Sequence, residues 1–217
     1  MNILFAFAHP DDEAFGPAGT IAKLAQDGHS VNVVAFCRGD RHGQDDVAAA
    51  RTHAFGKTCD LLGAAAYIDN EDDFSLNEQR VILQLSKLIK LLKIDVVYTH
   101  NINDLHCDHK IVAQAAMVVC RPSPQSSVHA LYMCEMPAAS DWTFNTAVFQ
   151  PNVYVDVSKF IEQKKRALQC YPSETHAWPD PRSVNGMLTL SQYRGQQISC
   201  GYAEAFQLVF SHDRKTQ

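Results

Sequence analysis

Short apolar runs alternate with segments of helical periodicity along the first half of this chain, and this alternation restricts the possible folds more than any other feature. The runs at 3–8, 30–36, 65–68 and 94–99 are short and largely apolar, as strands buried on both faces are. Between them, segments such as 76–92 repeat apolar residues every three or four positions, which is typical of amphipathic helices. This order predicts βαβ units, and therefore an α/β fold with a mostly parallel sheet and helices on both faces.

The second half of the chain is less regular. Strands are predicted near 128–135, 153–157 and 205–210, and helices near 158–171 and 183–197. The length of 217 residues fits one compact domain, and no linker-like stretch divides the chain. We therefore predict a single domain over residues 1–217.

Charge and cysteine content argue against several classes of protein. The formal net charge is −5 and no long block of lysine or arginine occurs, which disfavours nucleic-acid binding. The seven cysteines are odd in number and include no C-x-x-C pair, which disfavours a disulfide framework or a cysteine-rich zinc site. No apolar run approaches the roughly 20 residues that a membrane-spanning helix needs. These features predict a soluble, cytoplasmic protein that acts on a small molecule rather than at a membrane.

Two segments rich in acids and histidines follow two of the predicted strands. Segment 9–13 reads His-Pro-Asp-Asp-Glu and follows the first strand, and segment 100–109 ends the fourth strand and reads His-Asn-Ile-Asn-Asp-Leu-His-Cys-Asp-His. Binding sites of open α/β sheets lie beyond the carboxyl ends of the strands. We therefore expect the two segments to meet at one edge of the sheet.

The residue types in these segments are those of a catalytic metal site. Catalytic zinc sites use three protein ligands, often histidine and carboxylate, and leave one position for water. His9 and Asp12 are three residues apart, as are His106 and His109, so one turn can bring each pair to a single ion. Taken alone, a histidine after a strand or a pair of aspartates is more often structural, and such donors also accept iron. Together the segments hold more groups than one ion needs, and the surplus can act as acid and base.

The same segments carry a family resemblance. Segment 9–13, with Gly-Thr at 19–20 behind it, and segment 103–109 resemble the signature of the PIG-L/LmbE-like deacetylases. Arg51 resembles a residue of the family's second helix, and segment 202–206 resembles its closing strand. The resemblance covers most of the chain. It implies a Rossmann-like fold, a homo-oligomer, and zinc-dependent hydrolysis of the N-acetyl group of a GlcNAc-type sugar or sugar conjugate, which releases acetate and a free amino sugar.

By motif position, the resemblance also implies the role of each residue in the site. The metal ligands would be His9, Asp12 and His109. Asp11 would be the general base that takes a proton from the attacking water. His106 would be a positively charged group beside the developing oxyanion, and Asp108 behind it would orient its ring and favour its charge.

Arginines outside the two motifs are candidate substrate contacts. We predict that Arg51 and Arg182 contact sugar hydroxyls or a phosphate, and Arg38 and Arg41 are further candidates. Arg182 belongs to a proline-rich loop that also contains Trp178. Such a loop can cover a pocket and stack an aromatic ring on a sugar, or it can be a plain surface loop.

Three other functions compete with deacetylation. A dinucleotide-binding protein would need G-x-G-x-x-G after the first strand, where this chain has segment 9–13 instead. A different hydrolase, such as an amidase on a thiol–sugar conjugate or a phosphoesterase, would use the same metal ligands. A non-catalytic zinc- or sugar-binding protein would not need Asp11 or His106. Release of acetate by the wild type and by Asp11→Ala separates these functions.

Overall fold

A mixed sheet forms the centre of the protein. Its strands are β1 (Asn2–Phe7), β2 (Ser30–Cys37), β3 (Ala65–Glu71), β4 (Val96–His100), β5 (Ala130–Cys134), β6 (Val153–Asp156) and β7 (Ala203–Ser211). The computed structural model describes residues 1–40, 43–142 and 148–213, and within them the seven strands lie in the order β3-β2-β1-β4-β5-β7-β6. Pairs among β1 to β5 are parallel, whereas β7 runs antiparallel to both β5 and β6.

Helices cover both faces of this sheet. They are α1 (Asp12–Phe15), α2 (Ala18–Gln26), α3 (Asp45–Leu62), α4 (Glu78–Leu92), α5 (Cys107–Val119), α6 (Ile161–Gln169) and α7 (Val184–Gln196). Alternate residues of β1 pack into two separate cores. Phe5 lies in the core formed with α2, α3, α6 and α7, and Leu4 lies in the core formed with α4 and α5. Because both faces of β1 are buried, its sequence is an unbroken apolar run rather than an alternating one.

Helix α4 shows how the sequence signals become structure. Asn77 precedes the helix and its side chain accepts a hydrogen bond from the Arg80 amide at 3.1 Å, which is an N-cap. Val81, Leu85 and Ile89 repeat at helical spacing and are buried on one face. None of the helices in the described ranges has the length and apolarity needed to cross a membrane.

The predicted fold class is confirmed, and several element boundaries differ from the prediction. The helix predicted over 158–171 begins as a 3₁₀ turn, Ser158–Phe160, and α6 ends at Gln169. Strand β3 continues past residue 68 to Glu71. It lies at the edge of the sheet, where polar residues are tolerated although their pattern in the sequence is typical of a loop.

The topology places two strand ends side by side. Strands β1 and β4 are direct neighbours, with Ile3 paired to Val96 and Ala6 paired to Thr99. Because the two strands are parallel, the segments that follow them leave the sheet at the same edge. Segments 9–13 and 101–109 therefore meet although they are distant in the chain.

Candidate active site

The acid- and histidine-rich segments converge as expected from the sheet. The ring centroids of His9 and His109 are 5.4 Å apart, and those of His106 and His109 are 4.9 Å apart. His9 comes from the segment after β1, whereas His106 and His109 come from the start of α5. The three rings surround one small region at the carboxyl edge of the sheet.

Donor atoms of the three predicted metal ligands lie near one another. Asp12 lies between the two histidines: its Oδ2 is 3.6 Å from His9 Nδ1, and its Oδ1 is 3.5 Å from His109 Nε2. The second nitrogen of each ring is bound to a carboxylate, since His9 Nε2 lies 3.1 Å from Asp108 and His109 Nδ1 lies 3.0 Å from Asp104. Carboxylates of this kind fix the tautomer of metal-binding histidines. The donor set therefore fits a divalent metal.

Both supporting carboxylates are themselves held in place. Asp104 is fully buried, and its Oδ1 accepts a hydrogen bond from Ser140 Oγ at 2.5 Å. Asp108 Oδ2 accepts the Phe74 amide N–H at 2.8 Å in addition to its contact with His9. These bonds leave the two imidazoles little freedom to rotate away from Asp12.

Among the described residues, the predicted triad of His9, Asp12 and His109 is not itself one of the groups whose donor atoms all lie within 4.8 Å of one another. Within the described part of the chain, His9, His106 and His109 form one group whose donors lie within 4.8 Å of one another, and Asp12, His100 and His109 form another. His100 is fully buried, and its Nε2 already accepts the Ala8 amide N–H at 2.8 Å. That lone pair is in use, so His100 is a weaker candidate ligand than His9.

Burial and neighbouring charges shift the pKa values of three groups in the site, namely Asp12, His9 and Asp11. Burial alone would raise the pKa of Asp12, but the adjacent His109 and His100 hold it well below its usual range. Burial lowers the pKa of His9, but its hydrogen bonds to Asp108 and Asp12 raise it well above the usual value. The pKa of Asp11 is raised, chiefly by burial, although Arg51 and Arg182 offset part of this effect. The arrangement keeps Asp12 ionised and favours proton uptake at Asp11.

Asp11 lies in an unusual local structure. Its φ of 135° is outside the regions that non-glycine residues ordinarily adopt. Its side chain is 4% exposed, and its Oδ2 lies 2.8 Å from Arg182 Nη2 and 3.2 Å from Arg51 Nη2. Such strained conformations persist only where the surroundings enforce them, and they are common at functional sites.

The strained backbone of Asp11 is held by residues from distant parts of the chain. Glu13 is fully buried, and its Oε2 accepts the Asp11 amide N–H at 3.1 Å. The hydroxyl of Tyr171, just beyond α6, donates to the other carboxylate oxygen of Glu13 at 2.5 Å. Burial raises the pKa of Glu13 to about 8. No sequence signal pointed to Tyr171, because its contact with Glu13 depends on how α6 packs against the sheet.

Arg51 differs from its predicted role as a substrate contact. Its guanidinium donates to the carbonyl oxygen of Pro10 from Nη2 at 3.0 Å and to that of Gly39 from Nη1 at 3.3 Å. A Cβ at Gly39 would lie 2.8 Å from Arg51 Nε, so this close approach requires glycine. Arg51 is 6% exposed and is surrounded by Asp11 and other acids. Because its donors are engaged by the protein, the structure favours Arg51 as a support of the acidic loop.

Asp108 also differs from its predicted role behind His106. Its Oδ2 lies 3.9 Å from His106 Nδ1 but 3.1 Å from His9 Nε2. His106 instead caps α5, and its Nδ1 accepts the Asp108 amide N–H at 3.2 Å. Burial and the nearby His9 and His109 lower the pKa of His106 to about 3. This environment favours a neutral ring with its proton on Nε2, whereas a positively charged His106 was expected from the resemblance.

Arg182 lies closer to its predicted role. Its side chain is 29% exposed, stacks over the Phe15 ring at 4.2 Å, and contacts Asp11. Arg38 instead binds Asp45 and Asp72 at the surface. Arg41 lies outside the described residues.

A pocket of about 300 Å³ opens over the convergent residues. His9, Asp12, His106 and His109 lie on its wall together with Asp11 and Arg182. The late loop contributes Glu174 and Arg182 to this wall, but Trp178 is 60% exposed and lines a separate groove near α7. Trp178 is therefore not the stacking residue that the sequence suggested. The aromatic ring at the pocket mouth is Phe74, which sequence analysis did not identify.

Known proteins share sequence similarity with this chain. The family described as PIG-L: GlcNAc-PI de-N-acetylase matches residues 4–120. The uncharacterized deacetylase YaiS of Escherichia coli (strain K12) is 32% identical over 134 residues, which cover 57% of this chain and 70% of that protein. The matched family region contains both the acidic and the histidine-rich segments.

Two further relatives extend over nearly the whole chain. The 4-oxalmesaconate hydratase of Pseudomonas putida KT2440 is 22% identical over 237 aligned positions, covering 96% of this chain and 89% of that protein. The crystal structure of the N,N'-diacetylchitobiose deacetylase from Pyrococcus horikoshii has a TM-score of 0.79 at 21% identity, covering 96% of this chain and 83% of that one. At such identity the structural likeness shows a shared fold.

Proposed function

Because the chain belongs to the PIG-L family of deacetylases, we propose that it hydrolyses the N-acetyl group of an N-acetylglucosamine-type sugar or sugar conjugate. The products are acetate and a free amino sugar. The observation that carries this proposal is the convergence of His9, Asp12 and His109 beside Asp11 and His106 on the wall of one pocket. A simple metal-binding protein would not need the last two residues.

We propose zinc as the metal, held by His9 Nδ1, the Asp12 carboxylate and His109 Nε2. Histidine and carboxylate donors suit zinc, and they also accept Fe²⁺. A divalent ion at this position supplies polarisation of the amide carbonyl and a lowered pKa for the attacking water. Asp104 and Asp108 keep the two imidazoles oriented toward Asp12.

Asp11 is the proposed proton carrier. Both arginines contact the same oxygen, Oδ2, which leaves Oδ1 as the oxygen that accepts a proton from water. As the water oxygen bonds to the amide carbon, its proton passes to Asp11. When the carbon–nitrogen bond breaks, Asp11 returns that proton to the amine. The neighbouring carboxylates therefore have different functions: Asp12 faces the histidines and Asp11 faces the arginines.

His106 is the proposed oxyanion donor. Its Nδ1 accepts the Asp108 amide N–H, so the proton of the neutral ring is on Nε2. A neutral imidazole N–H directed at the pocket can donate to the oxygen that becomes negative during attack. One such donor contributes about 3 to 4 kcal/mol to transition-state stabilisation. Asp108 acts through His9 instead, as a positioning residue.

The size and polarity of the pocket bear on the substrate. A volume of about 300 Å³ lies at the lower end of small-molecule sites, which favours a single sugar unit at the centre. Arg182 is partly exposed on the wall and is the proposed contact for sugar hydroxyls.

Acetate release tests the proposal. Zinc-loaded wild-type protein is incubated with a panel of N-acetylated sugars, and acetate, free amine and phosphate are measured. We expect acetate and amine in equal amounts, and a loss of at least about 100-fold in kcat for Asp11→Asn, because general acid–base catalysis contributes that much. Asp27→Asn changes an exposed carboxylate on the far end of α2 and serves as the matched control.

Each contrary result of this assay identifies another function. Release of amine only from added sugar conjugates whose acyl group is not acetyl indicates an amidase, and phosphate from phosphorylated sugars in the panel indicates a phosphoesterase. Zinc binding without any product from the panel indicates a binding protein and contradicts the proposal. Full activity in Asp11→Asn would remove Asp11 from the mechanism.

A hydratase is the second candidate. Two arginines, Arg51 and Arg182, lie on the pocket wall, and guanidinium groups are suited to carboxylate ligands. The similarity to 4-oxalmesaconate hydratase also covers 96% of this chain. Incubation with unsaturated di- and tricarboxylates, followed by loss of their ultraviolet absorbance, measures this activity. Deacetylation is favoured because the donors of Arg51 are engaged by backbone carbonyls.

A further inference from the structure

We propose that Phe74 and Leu105 form an apolar subsite at the mouth of the pocket, which binds a flat apolar group attached to the acetylated sugar. This inference rests on the proposed function and specifies its substrate: a glycoside whose aglycone has an apolar face. Phe74 lies outside both motifs, and Leu105 is a position within segment 103–109 to which no role in catalysis or metal binding was assigned. Both residues line the pocket.

Phe74 is held in position by the catalytic region itself. Its φ of 63° lies in the left-handed region, which bulky residues rarely adopt. Its amide N–H donates to Asp108 Oδ2 at 2.8 Å, the same oxygen that contacts His9. Its ring lies 4.7 Å from the His106 ring at an interplanar angle of 29°. The pocket therefore fixes both the backbone and the ring of Phe74.

Phe74 and Leu105 remain exposed although they are large and apolar. Phe74 is 55% exposed and Leu105 is 58% exposed. The Leu105 amide donates to the carbonyl oxygen of Ala139 at 3.0 Å, which ties it to the loop 136–139 on the same wall. Grouped apolar side chains at the mouth of a polar pocket are characteristic of ligand contacts.

Charged residues also line this pocket. They include Asp73, Glu174 and Arg182. Sugar hydroxyls suit these charged residues, because hydroxyls donate to carboxylates and accept from guanidinium groups. An apolar group linked to the sugar suits the wall of Phe74 and Leu105. Such a group is either an aromatic aglycone or the C–H face of a second sugar ring.

Matched glycosides test the subsite. The methyl, 4-nitrophenyl and N-acetylglucosaminyl β-glycosides of N-acetylglucosamine share the reacting amide and differ only in the attached group. We expect kcat/KM to be about 3- to 10-fold higher for the 4-nitrophenyl than for the methyl glycoside, which is the range that aromatic stacking provides. Phe74→Ala should reduce this ratio to about 1, whereas Phe74→Trp should keep it. Because both substrates share one reaction, any effect of the substitution on His106 cancels in the ratio.

Controls and binding measurements separate this inference from the proposed function. Leu83→Ala removes a side chain that is 71% exposed on α4, and it should leave the ratio unchanged. Calorimetric binding of the methyl and 4-nitrophenyl glycosides gives the same comparison when no turnover occurs. If kcat/KM is higher for the disaccharide than for the methyl glycoside, and Phe74→Ala abolishes this difference, the occupant of the subsite is a second sugar. Equal binding and equal kcat/KM of all three glycosides in the wild type would refute the subsite, while absence of hydrolysis alone would refute only the deacetylase.

Discussion

The candidate catalytic side chains owe their positions to partners outside the pocket. Tyr171 donates to Glu13, Glu13 accepts the Asp11 amide, and Asp11 is thereby held at a φ of 135°. Each such hydrogen bond contributes about 0.5 to 1.5 kcal/mol, so together they are comparable with the cost of about 1 to 3 kcal/mol for a strained backbone of this kind. Tyr171 is therefore a positioning residue for Asp11.

Replacement of Tyr171 tests this role. Tyr171→Phe removes the hydroxyl and keeps the buried ring, so we expect kcat to fall by about 10-fold, roughly 1.4 kcal/mol, with KM little changed. Steady-state kinetics on the best substrate of the panel measures both constants. Tyr98→Phe, which changes another buried tyrosine on β4, should leave both constants unchanged. Equal kcat in Tyr171→Phe and wild type would show that Asp11 needs no such support.

The candidate site residues of the two motifs could be predicted from the sequence, whereas the side chains that contact them could not. Residue type and spacing marked the two donor-rich segments, and the resemblance then selected His9, Asp12 and His109 as the proposed ligands. The pairing of Asp108 with His9 rather than His106 depends on ring orientation, which sequence spacing does not specify. The contact of Arg51 with the Pro10 carbonyl likewise depends on the packing of α3 against the acidic loop.

At the scale of elements, one buried ion pair joins three parts of the fold. Lys164 of α6 donates to Glu204 of β7 at 2.7 Å and to the Gly16 carbonyl at 2.5 Å. Glu204 also accepts the amides of Gly19 and Thr20 at the start of α2. The pair therefore fixes the helix that follows the acidic segment against the closing strand.

Removal of one partner should be costly. Lys164→Met leaves the buried Glu204 carboxylate without its cation, and we expect a loss of about 3 kcal/mol in the free energy of unfolding. Lys164→Met combined with Glu204→Gln should lose less, because the buried charge is gone. Lys23→Met breaks an exposed pair and should cost below about 1 kcal/mol.

Equilibrium unfolding in urea measures all three variants. A loss for Lys164→Met that is no larger than that for Lys23→Met would show that the buried pair does not stabilise the junction. A double variant less stable than Lys164→Met would show that the two amide contacts of Glu204 matter more than its charge.

Boundaries of elements were predictable where a cap or a glycine marks them. Helix α3 ends at Gly63, which has a φ of 76°, and α7 begins after Ser183, whose hydroxyl accepts the Gly186 amide. The prediction ended β3 too early, because the last residues of the strand are polar, and polar residues occur both in edge strands and in loops. The sequence pattern does not distinguish these two cases.

At the scale of the whole molecule, the order of the strands determines where the candidate active site lies. The alternation of strands and helices predicted a mostly parallel sheet, and adjacency of β1 and β4 then brings the two motifs together. The antiparallel placement of β7 between β5 and β6 was not predictable, because strand order depends on long connections rather than on local pattern. The pocket also includes Phe74 and Arg182, which belong to neither motif.

Anomalous diffraction from crystals of the zinc-loaded protein tests the central claim most directly. The claim predicts one strong zinc peak in contact with His9, Asp12 and His109, with Asp11 and His106 beside it but not bound to it. Among the described residues, the closely spaced donor groups include two that share two ligands with this set, one with His100 in place of His9 and one with His106 in place of Asp12. A peak bound to either competing group, or no peak in contact with His109, would contradict the proposed site and the mechanism built on it.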